Sequence, residues 1–354
     1  MINKIPHLNI IDKYTLRAFE IVEPRECWFE LSFFETGEFE VYARASKKNL
    51  AALKKGNYVT IPNKRFIWVI TSIRKLYNAD GVPMVIAKGY EAKYLLKKGN
   101  IDMPLQLPNT LSAAVVNLIN TYLIPYVDYL SYELINIDIE LVDTQAPRGN
   151  LLEFVNNLLR QYNCGSQVIY DKEQGLLKFK ILQGTDKSKS IKFSPSLDNL
   201  LTSEFLSDDK DVATRAIVVC KVNDIEFTEI YDTGAVGIDR SAITVNSNLS
   251  TKYLDANGEE KELDLTNAAD LRLFKSWLRE EGKAELEKHK TLEEVTAEID
   301  FTNSKYKFNN DYYLGDIVGI QDEYFKSTLK PRILKYTFRQ DASGKYTENA
   351  DYGE

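Results

Sequence analysis

Tyr312-Tyr313-Leu314-Gly315-Asp316-Ile317-Val318-Gly319-Ile320 is the stretch from which the fold is best inferred, and an earlier stretch repeats its pattern, Leu53-Lys54-Lys55-Gly56-Asn57-Tyr58-Val59-Thr60-Ile61. In both, Gly and then Asn or Asp precede Val and Ile residues that alternate with a period of two. Gly-Asn and Gly-Asp favour tight turns because both positions tolerate unusual φ, and the alternation indicates a half-buried strand. Gly56, Asn57, Gly315 and Asp316 are therefore predicted to build turns, not to carry chemistry.

Each copy is followed by the same series of signals: a basic break that contains proline, a β-rich run and a hairpin turn. These are Pro62–Arg65, Phe66–Ile70 and Asp80-Gly81 after the first copy, and Lys330–Arg332, Ile333–Phe338 and Ser343-Gly344 after the second. Few residues are identical, so two unrelated hairpins are the alternative interpretation. A duplicated β module is the hypothesis carried forward, because internal repeats determine architecture.

The composition is that of a folded, mildly acidic protein. Its 354 residues predict two or three domains, and 44% apolar residues are enough for extended cores. The net charge of -7 argues against a protein whose whole surface coats nucleic acid. Cys27, Cys164 and Cys220 lack metal-type spacing and are expected to be free thiols. Neither a signal peptide nor a membrane span is expected, because no suitable apolar segment occurs.

Local patterns in the middle of the chain indicate a mixture of helices and strands. Thr110 is predicted to cap a helix that Pro125 ends, and Asn150 to cap a second helix, with Gly165 just past the end of that helix. Residues 134–142 alternate as a strand. A third, longer helix is predicted for residues 266–289, with residues of suitable charge at both ends.

The predicted fold class is α+β, with two related small β-barrels and α/β insertion domains. Short strands separated by turns favour a small barrel or sandwich at both ends of the chain. The predicted domains are a first barrel (1–104), an α/β insertion (105–205), a second barrel (206–250 plus 298–354) and a second insertion with the long helix (251–297).

No motif for catalysis, cofactor binding or metal binding is found, so no such residue is predicted and an enzyme is not expected. His7 and His289 have no ligand-type residues at metal spacing. The sequence from Asp255 to Gly258 superficially resembles a calcium loop, but its glycine is misplaced and Thr266 stands where the loop needs Glu. Two distant carboxylates brought together by the fold, as in a glycosidase, stay possible in principle.

Three features, in this order, are similar to those of one protein family. They are Leu105–Pro108 leading to Thr110, Leu197–Phe205 followed by Val212–Val219, and Tyr312–Ile320 with Pro331–Ile333 and Asp351–Glu354. Over nearly the whole chain, this layout resembles the tail-tip or baseplate hub proteins of tailed phages. These include the hub portion of siphophage tail-associated proteins and the hub of contractile tails.

The resemblance implies a ring-shaped homotrimer in the phage tail tip, assembled in the bacterial host cytoplasm. Two barrels in each of three chains would match a sixfold tail tube on one side and a threefold tip on the other. Its partners would be the distal tail protein or tube protein, with the tape measure protein and receptor-binding proteins as further candidates. DNA would pass through the ring without specific binding. Many relatives have C-terminal lysin or receptor-binding extensions, and this sequence, which ends soon after the second predicted barrel, is expected to be a hub alone.

Two other functions were weighed against the hub. One is a tail component that binds carbohydrate or degrades the cell wall. The other is a nucleic-acid-binding module on OB-like barrels, which needs a basic face with aromatic residues. The residues available for such a face are Lys54, Lys55, Lys64, Arg65 and Trp68.

Overall fold

The structure is a computed structural model, and it describes Ile5 and residues 7–133, 137–142, 144–255, 258–299, 304–322 and 327–353. The N-terminal part contains seven strands and one short helix. These are β1 (Leu8–Ile11), β2 (Ala18–Val22), β3 (Glu26–Ser32), β4 (Glu38–Arg44), α1 (Lys47–Ala52), β5 (Tyr58–Thr60), β6 (Trp68–Tyr77) and β7 (Pro83–Glu91).

The next part of the chain, up to residue 199, combines two longer helices with short strands. Its elements are β8 (Asn100–Ile101), β9 (Leu105–Gln106), α2 (Leu111–Tyr122), β10 (Leu130–Tyr132), β11 (Gln145–Ala146), β12 (Gly149–Asn150), α3 (Leu151–Gln161), β13 (Gly165–Asp171), β14 (Leu176–Leu182) and β15 (Lys192–Phe193). Short 3-10 helices occupy Ala92–Lys98, Ile124–Tyr126 and Pro195–Leu197.

The C-terminal part begins with a long strand and contains the longest helix. Its elements are β16 (Leu200–Asp208), β17 (Arg215–Val222), β18 (Ile225–Asp232), β19 (Ala242–Asn246), β20 (Lys252–Leu254), β21 (Glu260–Glu262), α4 (Ala268–Leu286), β22 (Leu292–Ile299), β23 (Gly319–Asp322), β24 (Ser327–Leu329), β25 (Arg332–Gln340) and β26 (Tyr346–Gly353). A 3-10 helix occupies Gly237–Asp239.

Eleven strands form one continuous sheet, in the order β16-β22-β26-β25-β3-β4-β7-β6-β5-β1-β2. Every neighbouring pair in it is antiparallel. Its apolar face forms one large core with side chains from both ends of the chain, including Phe29, Phe39, Trp68, Tyr336 and Phe338. Burial of these aromatic rings is a major contribution to folding because each removes a large apolar area from water.

The same arrangement of five extended segments occurs twice, with nine of the ten segments in this sheet and the tenth joined to it by an isolated bridge. The N module consists of β3, β4, β5, β6 and β7, and the C module of β16, β22, residues 315–318, β25 and β26. In both modules, the strands lie side by side in the order first, second, fifth, fourth, third along the chain. The short third strand of the C module pairs through Ile317 with Arg332, and Val318 N donates to Pro331 O at 3.1 Å.

An irregularity in register fixes which residues of the two modules are equivalent. The β6–β7 ladder shifts just after Ile70, and the β25–β26 ladder shifts just after Ile333. When Ile70 and Ile333 are taken as equivalent, the ladders give one row of paired residues across each module, and the two rows correspond position by position. These rows are Phe29, Phe39, Gly89 and Ile70 in the N module, and Phe205, Val295, Tyr352 and Ile333 in the C module.

The two modules are joined edge to edge through β25 and β3. Lys335 pairs with Ser32, and the ladder continues to Gln340 opposite Cys27. The chain is thus mainly β, with several sheets and with related β regions at its two ends, as the repeated turn motif predicted. Within the described residues no strand pairing closes either module into a barrel.

Mixed α and β segments lie between and within the modules. Residues 92–199 link the modules and carry α2, α3 and the sheet β10-β14-β13, whereas residues 209–291 connect β16 to β22 and carry the sheet β18-β17-β19 beside α4. The predicted domain boundaries after residues 205 and 297 fall inside β16 and β22.

Two local predictions are wrong for reasons that only the fold reveals. Residues 137–142 form only an isolated antiparallel bridge, between Glu140 and Thr110, because the chain beside them continues into α2 and not into a strand. Leu111 N donates to Ile139 O at 2.9 Å in this bridge. Residues 134–136 lie outside the described residues. Gly165 does not end α3, since Asn163 takes the left-handed conformation there with φ +53. A Cβ at Gly165 would lie 2.3 Å from Phe33 O, so this glycine allows β13 to approach the N module.

Candidate assembly surface

The two predicted turns have the same backbone geometry. Gly56 and Gly315 have φ of +90° and +89°, a conformation that glycine adopts without a Cβ penalty. Gly56 N donates to Ile70 O at 2.8 Å, and Ile70 N donates to Asn57 O at 2.9 Å. Gly315 N and Ile333 O, and Ile333 N and Asp316 O, repeat this reciprocal pair at 2.9 Å each. The turn therefore fixes the register of the third and fourth strands in both modules.

The side chains of the second turn residue differ between the modules. Asn57 is buried and donates from Nδ2 to Ala52 O at 2.9 Å, which satisfies a carbonyl at the end of α1. Asp316 is buried too, and its two oxygens accept from Thr185 N at 2.8 Å and Tyr313 N at 2.9 Å. Lys187 lies 2.9 Å from the second oxygen. Asp316 thus ties the segment after β14 to the C module.

Each of the single substitutions Asp316→Asn and Asn57→Asp is expected to destabilise the protein. In Asp316→Asn, one amide group must face a backbone N–H, and in Asn57→Asp a carboxylate must face Ala52 O. Each substitution leaves a buried polar group unsatisfied, so we expect a loss of about 2 kcal/mol in each case. Urea denaturation measures both. Equal stability of either variant and the wild type would show that the turn does not depend on this side-chain chemistry.

A buried ion pair joins the N module to the first insertion. Lys93 and Glu91 are both fully buried, with 3.9 Å between Nζ and Oε2. Lys93 Nζ donates to Ser32 O at 2.6 Å and Phe33 O at 3.4 Å in the N module, and to Ser166 O at 3.0 Å in β13. No sequence motif predicted this pair. Its signal is two opposite charges, two residues apart, inside the apolar segment from Tyr90 to Leu96.

The ion pair gives the stability of the protein a definite pH dependence. Burial raises the pKa of the Glu91 carboxyl from 4.5 to about 7, although Lys93 and the Ser32 N–H act in the opposite direction. Because the folded-state pKa is the higher one, the contribution of Glu91 is present below about pH 4.5 and is lost as the pH rises through 7.

We therefore expect the stability of the wild type relative to Glu91→Gln to fall by about 3 kcal/mol over this pH range, because each pKa unit corresponds to about 1.4 kcal/mol. Urea denaturation of both proteins at a series of pH values measures the difference, which cancels the titration of the remaining groups. A difference that is constant with pH, or that grows with pH, would contradict this prediction.

Apolar side chains are exposed at the two outer edges of the eleven-stranded sheet. β16 forms one edge and exposes Leu201, Phe205 and Leu206. β2 forms the other and exposes Phe19 and Ile21. Exposed apolar edges favour pairing with a further chain. The sequence analysis used the segment that contains β16 only for the family resemblance; its signal is the apolar pairs Leu200-Leu201 and Phe205-Leu206 in a polar surrounding.

The β2 edge is protected in a way that limits strand addition. The backbone N–H of Ile21 donates to Glu20 Oε1 at 2.9 Å. Lys48 Nζ lies 3.0 Å from the same carboxylate oxygen. A charged side chain that bonds to its own strand is a known device against edge-to-edge association.

The basic and aromatic residues weighed for nucleic-acid binding are not brought together as a stacking surface. Trp68 is buried in the N module and donates from Nε1 to Glu30 O at 2.9 Å. Lys64 lies over the Phe338 ring, and Arg65 pairs with Glu133 at 3.2 Å. Lys54 and Lys55 are exposed. An aromatic ring that stacks on bases must be accessible, so Trp68 cannot serve in this role.

The two histidines and three cysteines lie in surroundings that give them no role in a metal site or in catalysis within the described residues. His289 lies 3.7 Å from Glu285 and 3.1 Å from Asp211 O, and His7 is half-buried. Cys27, Cys164 and Cys220 are buried free thiols. Burial raises the pKa of Cys27 to about 12 and that of Cys164 to about 11. In the described ranges no group of side chains could hold a metal ion, and no helix combines the length and apolarity of a membrane span.

Comparison with solved structures shows what this fold is similar to. The tail protein from Neisseria meningitidis MC58 has a TM-score of 0.58 at 11% identity, and the match covers 98% of this chain and 96% of that one. The 43 kDa tail protein of prophage MuSo2 from Shewanella oneidensis has a TM-score of 0.55 at 11% identity, with 98% and 97% covered. A chain of the lidded Francisella PdpA-VgrG complex has a TM-score of 0.50 at 12% identity, with 98% and 52% covered.

These identities are low, so the structural matches establish the fold alone. A comparison with curated protein sequences finds no match. The sequence profile of the Siphovirus ReqiPepy6 Gp37-like proteins, in contrast, matches residues 7–354. The likeness to phage tail proteins that the sequence layout indicated is thereby confirmed. Because the profile covers nearly the whole length, the chain belongs to the Siphovirus ReqiPepy6 Gp37-like protein family.

Proposed function

We propose that the protein is the hub of a phage or prophage tail tip, and that three copies form a ring between a sixfold tail tube and a threefold tip. The observation that carries this proposal is the duplication of the five-strand module within one chain. Three chains with two modules each present 3 × 2 = 6 similar units. A closed ring of this kind adapts one symmetry to the other without a second gene product.

In this role, the modules contact the tail tube or the distal tail protein, and the insertions extend away from the ring. The tape measure protein and receptor-binding proteins are further partners at the tail tip. The ring lines or closes the channel through which DNA leaves the tail. Three chains carry 3 × -7 = -21 formal charges. An acidic channel would let DNA slide without sticking, because binding to phosphate is largely electrostatic.

In the proposed role, the protein acts through its shape and its interfaces, without catalysis. The buried ion pair and the Asp316 contacts support this role because they fix the modules and the first insertion as one unit. Relative motion of domains is the default where few contacts join them, so these contacts favour a single rigid building block. A tail component that binds or degrades cell-wall carbohydrate is the alternative.

Light scattering of the purified chain tests the proposal, with electron microscopy of the same sample. We expect a stable trimer and a ring with threefold symmetry. A chain that stays monomeric at high concentration would contradict the hub. Release of fragments from cell-wall polymer would favour the alternative, and salt-dependent binding of single-stranded DNA would contradict a channel that repels DNA.

A further inference from the structure

We propose that neighbouring subunits are joined by pairing between the free edge of β6 in one copy and the free edge of β16 in the next copy. This inference rests on the proposed trimer and specifies its interface. The pairing would repeat, between chains, the β25–β3 joint that connects the two modules within one chain.

The joint inside the chain shows what such an interface buries. β25 is the fourth strand of the C module, and β3 is the first strand of the N module. Their ladder runs from Lys335 opposite Ser32 to Gln340 opposite Cys27. Phe338 and Phe29 face each other in it, and both are fully buried. Pairing between the fourth strand of one module and the first strand of another is therefore a stable way to join two modules.

The fourth strand of the N module has an open edge at the equivalent residues. β6 pairs with β7 along its length, but β5 covers the other side of β6 only at Trp68 and Val69. By the register shift described above, residues 72–77 are equivalent to residues 335–340 of β25. Among the described residues no other strand pairs with this edge. Its last residue, Tyr77, is 75% exposed.

The first strand of the C module has the matching open edge. β16 pairs with β22, and no described strand pairs with its other side. Phe205 is equivalent to Phe29, which is fully buried, yet Phe205 is 48% exposed. Phe29 packs on Phe39 and Trp68 within its module and also has β25 beside it, whereas no described strand lies beside the equivalent edge at β16. Phe205 thus occupies the position of a core residue but lacks the neighbouring strand that its counterpart Phe29 has.

The register follows from the internal joint, and the charges on the two edges are complementary. Transfer of the β25–β3 register places Ser72 opposite Asp208, Arg74 opposite Leu206 and Leu76 opposite Glu204. Residues 72–77 contain two basic and no acidic residues, and residues 204–208 contain two acidic and no basic residues. In this register Arg74 lies diagonally across from Glu204 and Asp208, a spacing that long side chains can bridge, and opposite charges across an antiparallel pair stabilise it.

The geometry points to a second copy of this chain as the occupant of both edges. Each copy offers one β6 edge and one β16 edge, which is a head-to-tail interface that can close into a ring. In a ring of three copies, the first strand of every module would pair with the fourth strand of the neighbouring module. Three of these joints lie within chains and three lie between chains, which gives the six similar contacts that the proposed hub needs.

Disulfide cross-linking tests the register directly. Opposite residues in an antiparallel pair have Cβ atoms about 5 Å apart, close enough for a disulfide after oxidation. Arg74→Cys with Leu206→Cys in one chain should therefore give covalent trimers on a non-reducing gel. Neither single variant should give them. The matched control is Thr337→Cys with Glu30→Cys, the equivalent pair of the internal joint, which should form a disulfide within one chain.

A charge introduced at the exposed core position provides a second, independent test. Phe205→Lys places a cation opposite Lys75 and should dissociate the trimer while leaving the unfolding midpoint of the monomer unchanged. Phe19→Lys is the matched control, because Phe19 is 50% exposed and lies on the edge strand β2 at the other end of the sheet. It should leave the trimer intact.

The outcomes separate this inference from the proposed function. A wild-type trimer in which Phe205→Lys has no effect and the cysteine pair does not cross-link would overturn the inference and leave the hub intact. Dimers from Leu206→Cys alone would mean that β16 pairs with β16 of a second copy, which also overturns it. A wild type that never forms a trimer would remove both proposals.

Discussion

Replacing Lys93 with Met is expected to lower the free energy of unfolding by about 3–5 kcal/mol at about pH 8. Three backbone carbonyls, of Ser32, Phe33 and Ser166, would each lose a bond from Lys93, although Phe33 O keeps the one from Ser166 N. Glu91 would be left buried without a compensating charge. Breaking a buried ion pair by removing one partner is strongly destabilising for this reason.

Urea denaturation measures the loss, and Lys88→Met is the control. Lys88 lies 2.9 Å from the buried Glu40, but Lys88 itself is half-exposed, so water can take its place and its removal should cost less than that of Lys93. Adding Glu91→Gln to Lys93→Met should recover part of the lost stability, because the uncompensated charge is then gone. If Lys93→Met costs no more than Lys88→Met, the buried pair does not hold these parts together.

Gly315→Ala is expected to cost about 3 kcal/mol or more, clearly more than Gly56→Ala at about 1–2 kcal/mol. Both glycines have φ near +90°, so both variants carry the same backbone strain. A Cβ at Gly315 would also lie 2.2 Å from Cε2 of the buried Phe33 ring. A Cβ at Gly56 would meet Lys13 Cδ at 2.8 Å, and this flexible side chain can move away.

Thermal or urea denaturation of the two variants measures the difference, which isolates the contact with Phe33 from the strain of the turn. The Phe33→Leu substitution supplies a further check. It should cost less in the Gly315→Ala background than in the wild type, because a smaller side chain relieves the clash. Equal losses for Gly56→Ala and Gly315→Ala would show that the Phe33 contact contributes nothing.

Much of the local structure could be predicted because it depends on residues close together in the chain. The Gly-Asn and Gly-Asp turns, the cap at Asn150 and the hairpin of β13 and β14 all follow from short-range hydrogen bonding. The duplication could be inferred too, because equal turns impose equal registers on the strands that follow. The family resemblance rested on the same local motifs in a fixed order.

Other features depend on what lies across the fold, so short-range patterns gave the wrong answer or none. Gly165 has the sequence context of a helix end, but its small size serves a close approach to Phe33. Trp68 has the context of an exposed stacking residue, but the sheet buries it. Lys93 has the context of a solvated charge, but the insertion folds over it and supplies Ser166 O as an acceptor.

The sequence by itself determined the two glycine turns, most of the strands beside them, and that one turn-strand unit occurs twice. Only the tertiary structure decided that the two units share a single sheet, that β25 lies beside β3, and that β6 and β16 keep open edges. The physical reason is that every strand edge carries the same backbone donors and acceptors, so the edge itself does not specify its partner. The partner is chosen by packing among side chains some 300 residues apart, such as Phe29 and Phe338.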